Sequence, residues 1–151
     1  MLKKKILKLL IGSNNQGKIK EIRDLLPKNI LVYTPKNFDL KNPKEIGKSF
    51  LENSLIKAKF FSNKTKMVTL ADDSGLEIDI LNGAPGIYSS RWGGKKNNFN
   101  LAINKVYREL NKIDENWYKK KITAQFICAL TIYWPNNFFV CVVGKVKGTI
   151  S

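Results

Sequence analysis

The chain has 151 residues, 43% hydrophobic and 26% charged, a globular composition at about the ~150 residues of one domain, which excludes a disordered polar chain. It carries 27 Lys and Arg against 12 Asp and Glu, a formal charge of +15, and no histidine. The missing imidazole excludes Ser-His-Asp and Cys-His nucleophiles, histidine-ligated zinc and a histidine general base, so catalysis must run on carboxylates, lysines, hydroxyls or a metal held by oxygen.

The basic start, Met1 to Ile11, is signal-like, but Lys8 interrupts its apolar stretch and no small-residue cleavage site follows. Ile6 to Ile11 reads as a short buried strand ending at Gly12. Ile19, Ile22, Leu25 and Leu26 then recur at helical spacing until Pro27 stops the pattern. Ile30 to Tyr33 suits a second strand, followed by a Pro- and Lys-rich loop from Pro35 to Gly47. Ser49-Phe50-Leu51-Glu52 is a capping box, predicting a helix to about Phe61 with Phe50, Leu55, Ala58 and Phe61 on one face. Met67 to Ala71 is again a short strand, which Asp72-Asp73-Ser74-Gly75 is expected to break, with Leu76 to Leu81 continuing extended. Gly83-Ala84-Pro85-Gly86 signals a turn, and Leu101, Val106 and Leu110 mark a further helix. Ile122 to Trp134 and Phe138 to Val146 flank Pro135-Asn136-Asn137 as a long β-hairpin. Cys128 and Cys141, set among apolar residues, read as small buried hydrophobes of a reducing compartment. Strand-helix-strand early and a hairpin late predict one mixed α/β domain over 1–151. No segment approaches the ~20 apolar residues of a membrane span, so a cytoplasmic protein without a membrane partner is expected.

Only Arg23, Arg91 and Arg108 among the basic residues are arginine. Base readers and phosphate clamps favour arginine's planar fork, whereas dispersed lysine beside abundant Asn and Ile is what an AT-rich coding sequence supplies. The charge is therefore read mainly as solvated lysine, with no specific nucleic-acid partner.

Three segments can carry chemistry. Gly12-Ser13-Asn14-Asn15-Gln16-Gly17-Lys18 has the spacing of a phosphate loop between strand and helix, but Ile19 stands where the magnesium-binding hydroxyl belongs. Backbone N–H groups at a helix start, together with Lys18, would favour an anion; the alternative is an ordinary Asn/Gly turn with a surface lysine. Asp72-Asp73-Ser74-Gly75 offers oxygen ligands suited to magnesium where ligand crevices form in open α/β sheets, or else a plain turn. Neighbouring carboxylates point differently, so one of the two faces a site. Glu45 is a possible second metal ligand or an exposed loop charge; Glu52 reads as a cap and Lys57 as a solvated helix lysine. In the third segment, Gly83 to Gly94, glycines and a proline stiffen a loop, and Arg91 beside Trp92 has phosphate-binding, partner-binding or packing as open roles.

Ser13-Asn14-Asn15-Gln16-Gly17-Lys18, Glu45 through Ala58 (EIGKSFLENSLIKA), Ala71-Asp72-Asp73-Ser74-Gly75-Leu76 and Gly83 through Arg91 (GAPGIYSSR) resemble, in order and spacing, the inosine triphosphate pyrophosphatase family. The four motifs span essentially the whole chain. The resemblance implies a mixed sheet with flanking helices, two lobes around a cleft, a homodimer, and Mg2+-dependent hydrolysis of dITP, ITP or XTP to the monophosphate and pyrophosphate. It further implies that Ser13, Asn14, Asn15, Gln16, Gly17 and Lys18 bind the triphosphate, that Asp73 is general base and metal ligand, that Ser74 contacts substrate and that Glu45 is a further metal-site carboxylate.

Members of that family continue past the hairpin through a Gly-Phe-Gly-Tyr-Asp-Pro-like segment, a lysine and a Ser-His-Arg segment that read the purine base. None is found after Gly148-Thr149-Ile150-Ser151. The expectation is thus a triphosphate and metal half-site without its base half, with base specificity impaired first, and a last hairpin strand left as an apolar edge. The competing expectations are a non-catalytic remnant serving as an interaction module, and a basic nucleic-acid-binding protein.

Overall fold

The computed structural model describes residues 7–151; the predicted strand residue Ile6 and the basic start before it lie outside the described residues. Five strands form one open sheet in the order β2-β1-β3-β4-β5. Strand β1 (Leu7–Ile11) runs parallel to β2 (Ile30–Tyr33), from Leu7 against Ile30 to Leu10 against Tyr33, and parallel to β3 (Thr69–Ile78), with Leu10 against Thr69 and Ile11 against Leu70. Strands β4 (Ile122–Tyr133) and β5 (Phe139–Ile150) form the predicted hairpin. Its turn is closed by Trp134 N–H donating to the Phe138 carbonyl at 2.8 Å, with Asn137 at φ 69°. Parallel pairing early and a hairpin late make the sheet mixed, and helices flank it, as the sequence pattern requires.

The described residues divide into two compact units, one of residues 7–72 and 129–142, the other of residues 73–128 and 143–151. In the first, helices α1 (Gln16–Leu25) and α2 (Phe50–Thr65) accompany β1, β2 and the start of β3. Its buried residues include Leu10, Ile11, Ile19, Phe50 and Phe61, and Ala58, Ala71 and Tyr133 form a cluster covered by Leu55. Of the apolar stripe on α1 only Ile19 is buried, and Leu25 stands 86% exposed. Ser49 caps α2 by accepting from Glu52 N–H at 3.1 Å, but the Glu52 carboxylate accepts from Lys48 N–H at 2.7 Å, one residue before the cap. The helix runs a turn past the predicted Phe61, because Lys66 closes it in the left-handed conformation (φ 58°) and Ser62 Oγ donates to the Met67 carbonyl at 2.8 Å. The loop from Pro35 opens with a single 3-10 turn, Pro35–Phe38.

The structure corrects the sequence reading at β3. Asp72-Asp73-Ser74-Gly75 does not break the strand, which continues to Ile78. Turn propensity is a weak local preference, and β4, twelve residues long, lies beside β3 on the side away from β1. The extended segment expected to reach Leu81 stops at Ile78 instead and turns through a 3-10 helix, Asp79–Leu81.

In the second unit, β3 and that 3-10 turn lead to the Gly83–Gly86 turn, where Gly83 and Gly86 have φ of 85° and 54° and the Ala84–Pro85 peptide is cis. Helix α3 (Ser89–Trp92) is a single turn. Helix α4 (Phe99–Ile113) is capped by Asn98, whose side chain accepts from Asn100 and Leu101 N–H groups. Val106 and Leu110 join Ile78, Trp117, Ile122 and Ala124 in the core, whereas Leu101 is 53% exposed. Trp117 stacks on Tyr107 and donates its indole N–H to Asn111 Oδ1 at 2.7 Å, which satisfies the one polar atom of a buried indole. Along β4, burial alternates from Ile122 and Ala124 but resumes at Ile127, a slip of one position in the alternation.

Strand β5 lies at the sheet edge, with Phe139, Val140, Val142, Val143 and Val146 exposed, the apolar edge anticipated from the sequence. Neither cysteine is in a disulfide, both are half-buried rather than fully enclosed, and Cys141 Sγ lies 3.0 Å from Thr131 Oγ1. No helix among the described residues is long and apolar enough to cross a membrane.

Candidate active site

The glycine-bearing segment after β1 is held from below. Gly12 N–H donates to the Leu70 carbonyl at 2.7 Å, continuing the parallel ladder one residue beyond β1. A Cβ at Gly12 would lie 3.0 Å from the Phe61 ring, 3.1 Å from Thr69 Cγ2 and 3.2 Å from the Ala71 methyl, so the chain passes closer to α2 and β3 than a side chain permits. Beyond it, Ser13 is buried and its Oγ accepts from Asn15 N–H at 3.1 Å. Asn14 ties the loop to the next one by donating to the Leu40 carbonyl (3.2 Å) and Asn42 Oδ1 (3.1 Å).

Asn15 is the N-cap of α1: its Oδ1 accepts from Gly17 N–H at 2.9 Å and Lys18 N–H at 3.2 Å. These are two of the amides that the anion reading expected to stand open, and here the Asn15 side chain already occupies them. The loop's capacity for an anion therefore rests on its exposed polar side chains and on Lys18, with Gly17 and Lys18 amides available only when Asn15 turns aside.

Lys18 Nζ lies 2.6 Å from Asp72 Oδ2. The Asp72 side chain is 6% exposed and that of Lys18 29%, so the pair sits at the rim of the protein interior, where the attraction is less screened than at the surface. Asp72 is two residues past the last β3 position paired with β1, on the stretch of β3 that β1 no longer covers. This is the carboxyl end of β1, where open α/β sheets place their ligands.

A second pair lies nearby in the sequence motif of α2. Lys57 Nζ is 3.0 Å from Glu45 Oε1, with the Lys57 side chain only 7% exposed. The sequence reading assigned Lys57 to solvent, and this is corrected: Phe50, Ser54, Lys57, Ala58 and Phe61 share the buried face of α2. The missed signal was the spacing, a lysine on the apolar i, i+3, i+4 stripe. Glu45, two residues ahead of Gly47, is held by that loop's attachment to α2: Gly47 N–H donates to Asn53 Oδ1 at 2.8 Å, and Asn53 is 1% exposed. A Cβ at Gly47 would meet Asn53 Oδ1 at 2.6 Å and Asn53 N at 3.0 Å. Gly47→Ala should accordingly push the loop off α2 and destabilise the protein by about 1–3 kcal/mol, the range for overpacking, which chemical denaturation checks; an unchanged midpoint would show the loop yields freely. Glu52 serves the start of α2 as the sequence predicted, but through the Lys48 N–H rather than that of the cap residue Ser49.

In the second unit, Asp73 is 6% exposed with its Oδ2 removed from solvent, and Ser74 follows half-buried on β3. Successive strand residues point to opposite faces, so Asp72 and Asp73 do not share a side. Ser89 clips the Gly83–Gly86 turn onto this strand, its Oγ accepting from Leu76 N–H at 2.9 Å and donating to the Gly86 carbonyl at 2.6 Å. Arg91 lies over the Tyr88 ring at 4.9 Å and Lys105 over Trp92 at 4.6 Å, so packing on an aromatic ring accounts for at least part of what Arg91 does.

Among the described residues no three His, Cys, Asp or Glu side chains converge on one point as a protein-made metal cage would require. Magnesium does not need one, since it is commonly held by one or two carboxylates with substrate phosphates and water completing the shell. A carboxylate such as Asp73, a hard oxygen donor, suits that cation.

The Ham1 family model matches residues 9–151. Over 144 residues the chain is 42% identical to a dITP/XTP pyrophosphatase of Zymomonas mobilis, covering 95% of this chain and 68% of that protein. Its fold superposes on a HAM1 protein from Coxiella burnetii with a TM-score of 0.84 at 32% identity, covering 96% of this chain and 73% of the other. It likewise matches a nucleoside-triphosphatase, or dITP/XTP pyrophosphatase, from Mycobacterium abscessus with a TM-score of 0.74 at 32% identity, covering 96% and 75%.

Proposed function

The chain belongs to the Ham1 family, whose named relatives are hydrolases of a phosphoric anhydride, and from that membership we propose that it hydrolyses dITP and XTP, and by the same chemistry ITP, to the nucleoside monophosphate and pyrophosphate. The observation that supports the reading at these residues is the Lys18–Asp72 pair at the carboxyl end of β1, which joins the cation of the anion loop to the first aspartate of the β3 motif.

In this reading Ser13 to Lys18 hold the triphosphate. Asn14 and Asn15 are already ordered by their own hydrogen bonds, so little conformational entropy is lost when phosphate oxygens replace those partners. Lys18 and the buried Lys57 bring positive charge toward the polyphosphate, which gains negative charge on its leaving part as the bond breaks. Asp73 orients a water and takes its proton as the water oxygen bonds to the α-phosphorus. The bond from that phosphorus to the α–β bridging oxygen breaks, and pyrophosphate departs with the electron pair. Magnesium, held by Asp73 with Glu45 as a further carboxylate, would supply charge neutralisation of the phosphate oxygens. Ser74 touches the substrate beside Asp73. We assign to these 151 residues the triphosphate half of the site and not the part that reads the purine base, and we place the protein in the cytoplasm as a homodimer.

The test is pyrophosphate release from dITP, XTP and dATP with and without Mg2+. Release from the first two that requires the cation supports the reading. A protein that folds by circular dichroism yet releases none from any of them overturns it for this chain.

A further inference from the structure

Asn53 lies on the buried face of α2 and is 1% exposed. Its Oδ1 accepts from Gly47 N–H at 2.8 Å, while its Nδ2 finds no acceptor among the described residues. Turning the amide over would set Nδ2 against the Gly47 N–H, donor against donor, so the loop fixes the orientation and the buried N–H groups of Asn53 go unmet. An unmet buried donor is a cost that an apolar side chain at this position would not incur. The contact made at that cost is the one to the loop that carries Glu45.

A second contact lies in line with it. Lys57 follows Asn53 by one helical turn on the same face of α2, and its Nζ is 3.0 Å from Glu45 Oε1. Asn53 takes the loop by its backbone at Gly47, and Lys57 takes it by the carboxylate two residues earlier. A Cβ at Gly47 would meet Asn53 Oδ1 at 2.6 Å, so only glycine lets the loop come this near. From this we propose that Asn53 is a positioning residue for Glu45: its hold on Gly47 N–H sets the loop on α2, and with it the place of the carboxylate that serves the divalent cation. The role rests on the reading that Glu45 is a metal-site carboxylate, and adds to that reading a residue that touches neither cation nor substrate.

The role can be read without turnover, from the Mg2+ Kd given by the rise of the melting temperature with Mg2+ concentration. Asn53→Ala removes the contact and should raise that Kd about 10–100-fold, the loss usual when a group that orients a metal ligand is removed. Glu45→Gln should raise it as well. Adding Asn53→Ala to Glu45→Gln should raise it no further, since Asn53 acts through Glu45. Leu55→Ala, on the same helix but packed on the Ala58, Ala71 and Tyr133 cluster, loosens α2 without touching the contact and should leave the Kd unchanged. Gly47→Ala breaks the contact from the loop side and should match Asn53→Ala.

A Kd for Asn53→Ala within about twofold of the unaltered protein's overturns the proposal. So does a loss that persists in full on Glu45→Gln, or one that Leu55→Ala reproduces, which would mark a general loosening of the helix. If Asn53→Ala does not fold, Gly47→Ala decides alone: an unchanged Kd overturns it. An unaltered protein whose melting temperature does not respond to Mg2+ overturns it together with the metal role of Glu45. These outcomes are separate from dITP hydrolysis, since a chain that shows the coupling but releases no pyrophosphate refutes the hydrolytic reading and leaves the positioning role standing.

Discussion

Asp73→Asn should lower pyrophosphate release from dITP by about 10²–10⁴-fold, the contribution usual for a positioned general base, while leaving the fold intact. The amide is nearly the shape of the carboxylate, so the packing around a residue only 6% exposed is preserved. In the proposed mechanism, what is lost is the ability to take a proton, and with it a negative charge that would neighbour the cation. Affinity for tripolyphosphate in the absence of metal should not fall, because Lys18 and its loop are untouched. Steady-state release assays paired with calorimetric titration separate the two quantities. A variant with more than a tenth of the original rate would remove Asp73 from the chemistry and direct attention to Asp72.

The second large effect is on stability. Phe61 is fully buried on α2, and its ring is the nearest neighbour of the space above Gly12. Phe61→Ala should cost about 3–5 kcal/mol, from lost transfer energy and the cavity left behind, a fall in melting temperature of roughly 10 °C at the ~2–4 °C per kcal/mol typical of chains this size. Because the ring also floors the turn that leads into Ser13, the KM for dITP should rise more than kcat falls. Thermal unfolding by circular dichroism checks the first part and initial-rate kinetics the second. A melting temperature within ~2 °C of the original would mean that Phe61 is not the support its burial indicates.

The fold was most legible where local signals and long-range packing agree. Ile30–Tyr33 is bounded by proline and polar residues on both sides, and the structure keeps those limits. Ser49 and Glu52 announce α2 because capping is a matter of a few adjacent atoms. The sequence was least legible where neighbours override propensity. Asp72 to Gly75 has every local mark of a turn yet remains strand, because the residues that keep it extended belong to β4, about fifty positions away. Leu25 and Leu101 were counted on apolar faces and are exposed, since helical periodicity identifies a stripe but not how much of it another element covers.

The site divides in the same way. The absence of histidine, the Gly-Lys loop between strand and helix, the tandem aspartates and the four ordered motifs are properties of the sequence by itself, and they determined the class of chemistry and the family. Charge pairing was decided only by tertiary structure. Lys18 and Asp72 are 54 positions apart, and they meet because β1 lies parallel to β3 and ends at Leu70's level, which sets Asp72 just past the last paired position and within reach of a lysine in the first turn of α1. Lys57 reads as solvent-facing until α2 is seen to turn that face inward toward Glu45. Electrostatic partnership falls off within a few ångströms, and the order of strands in the sheet sets those distances.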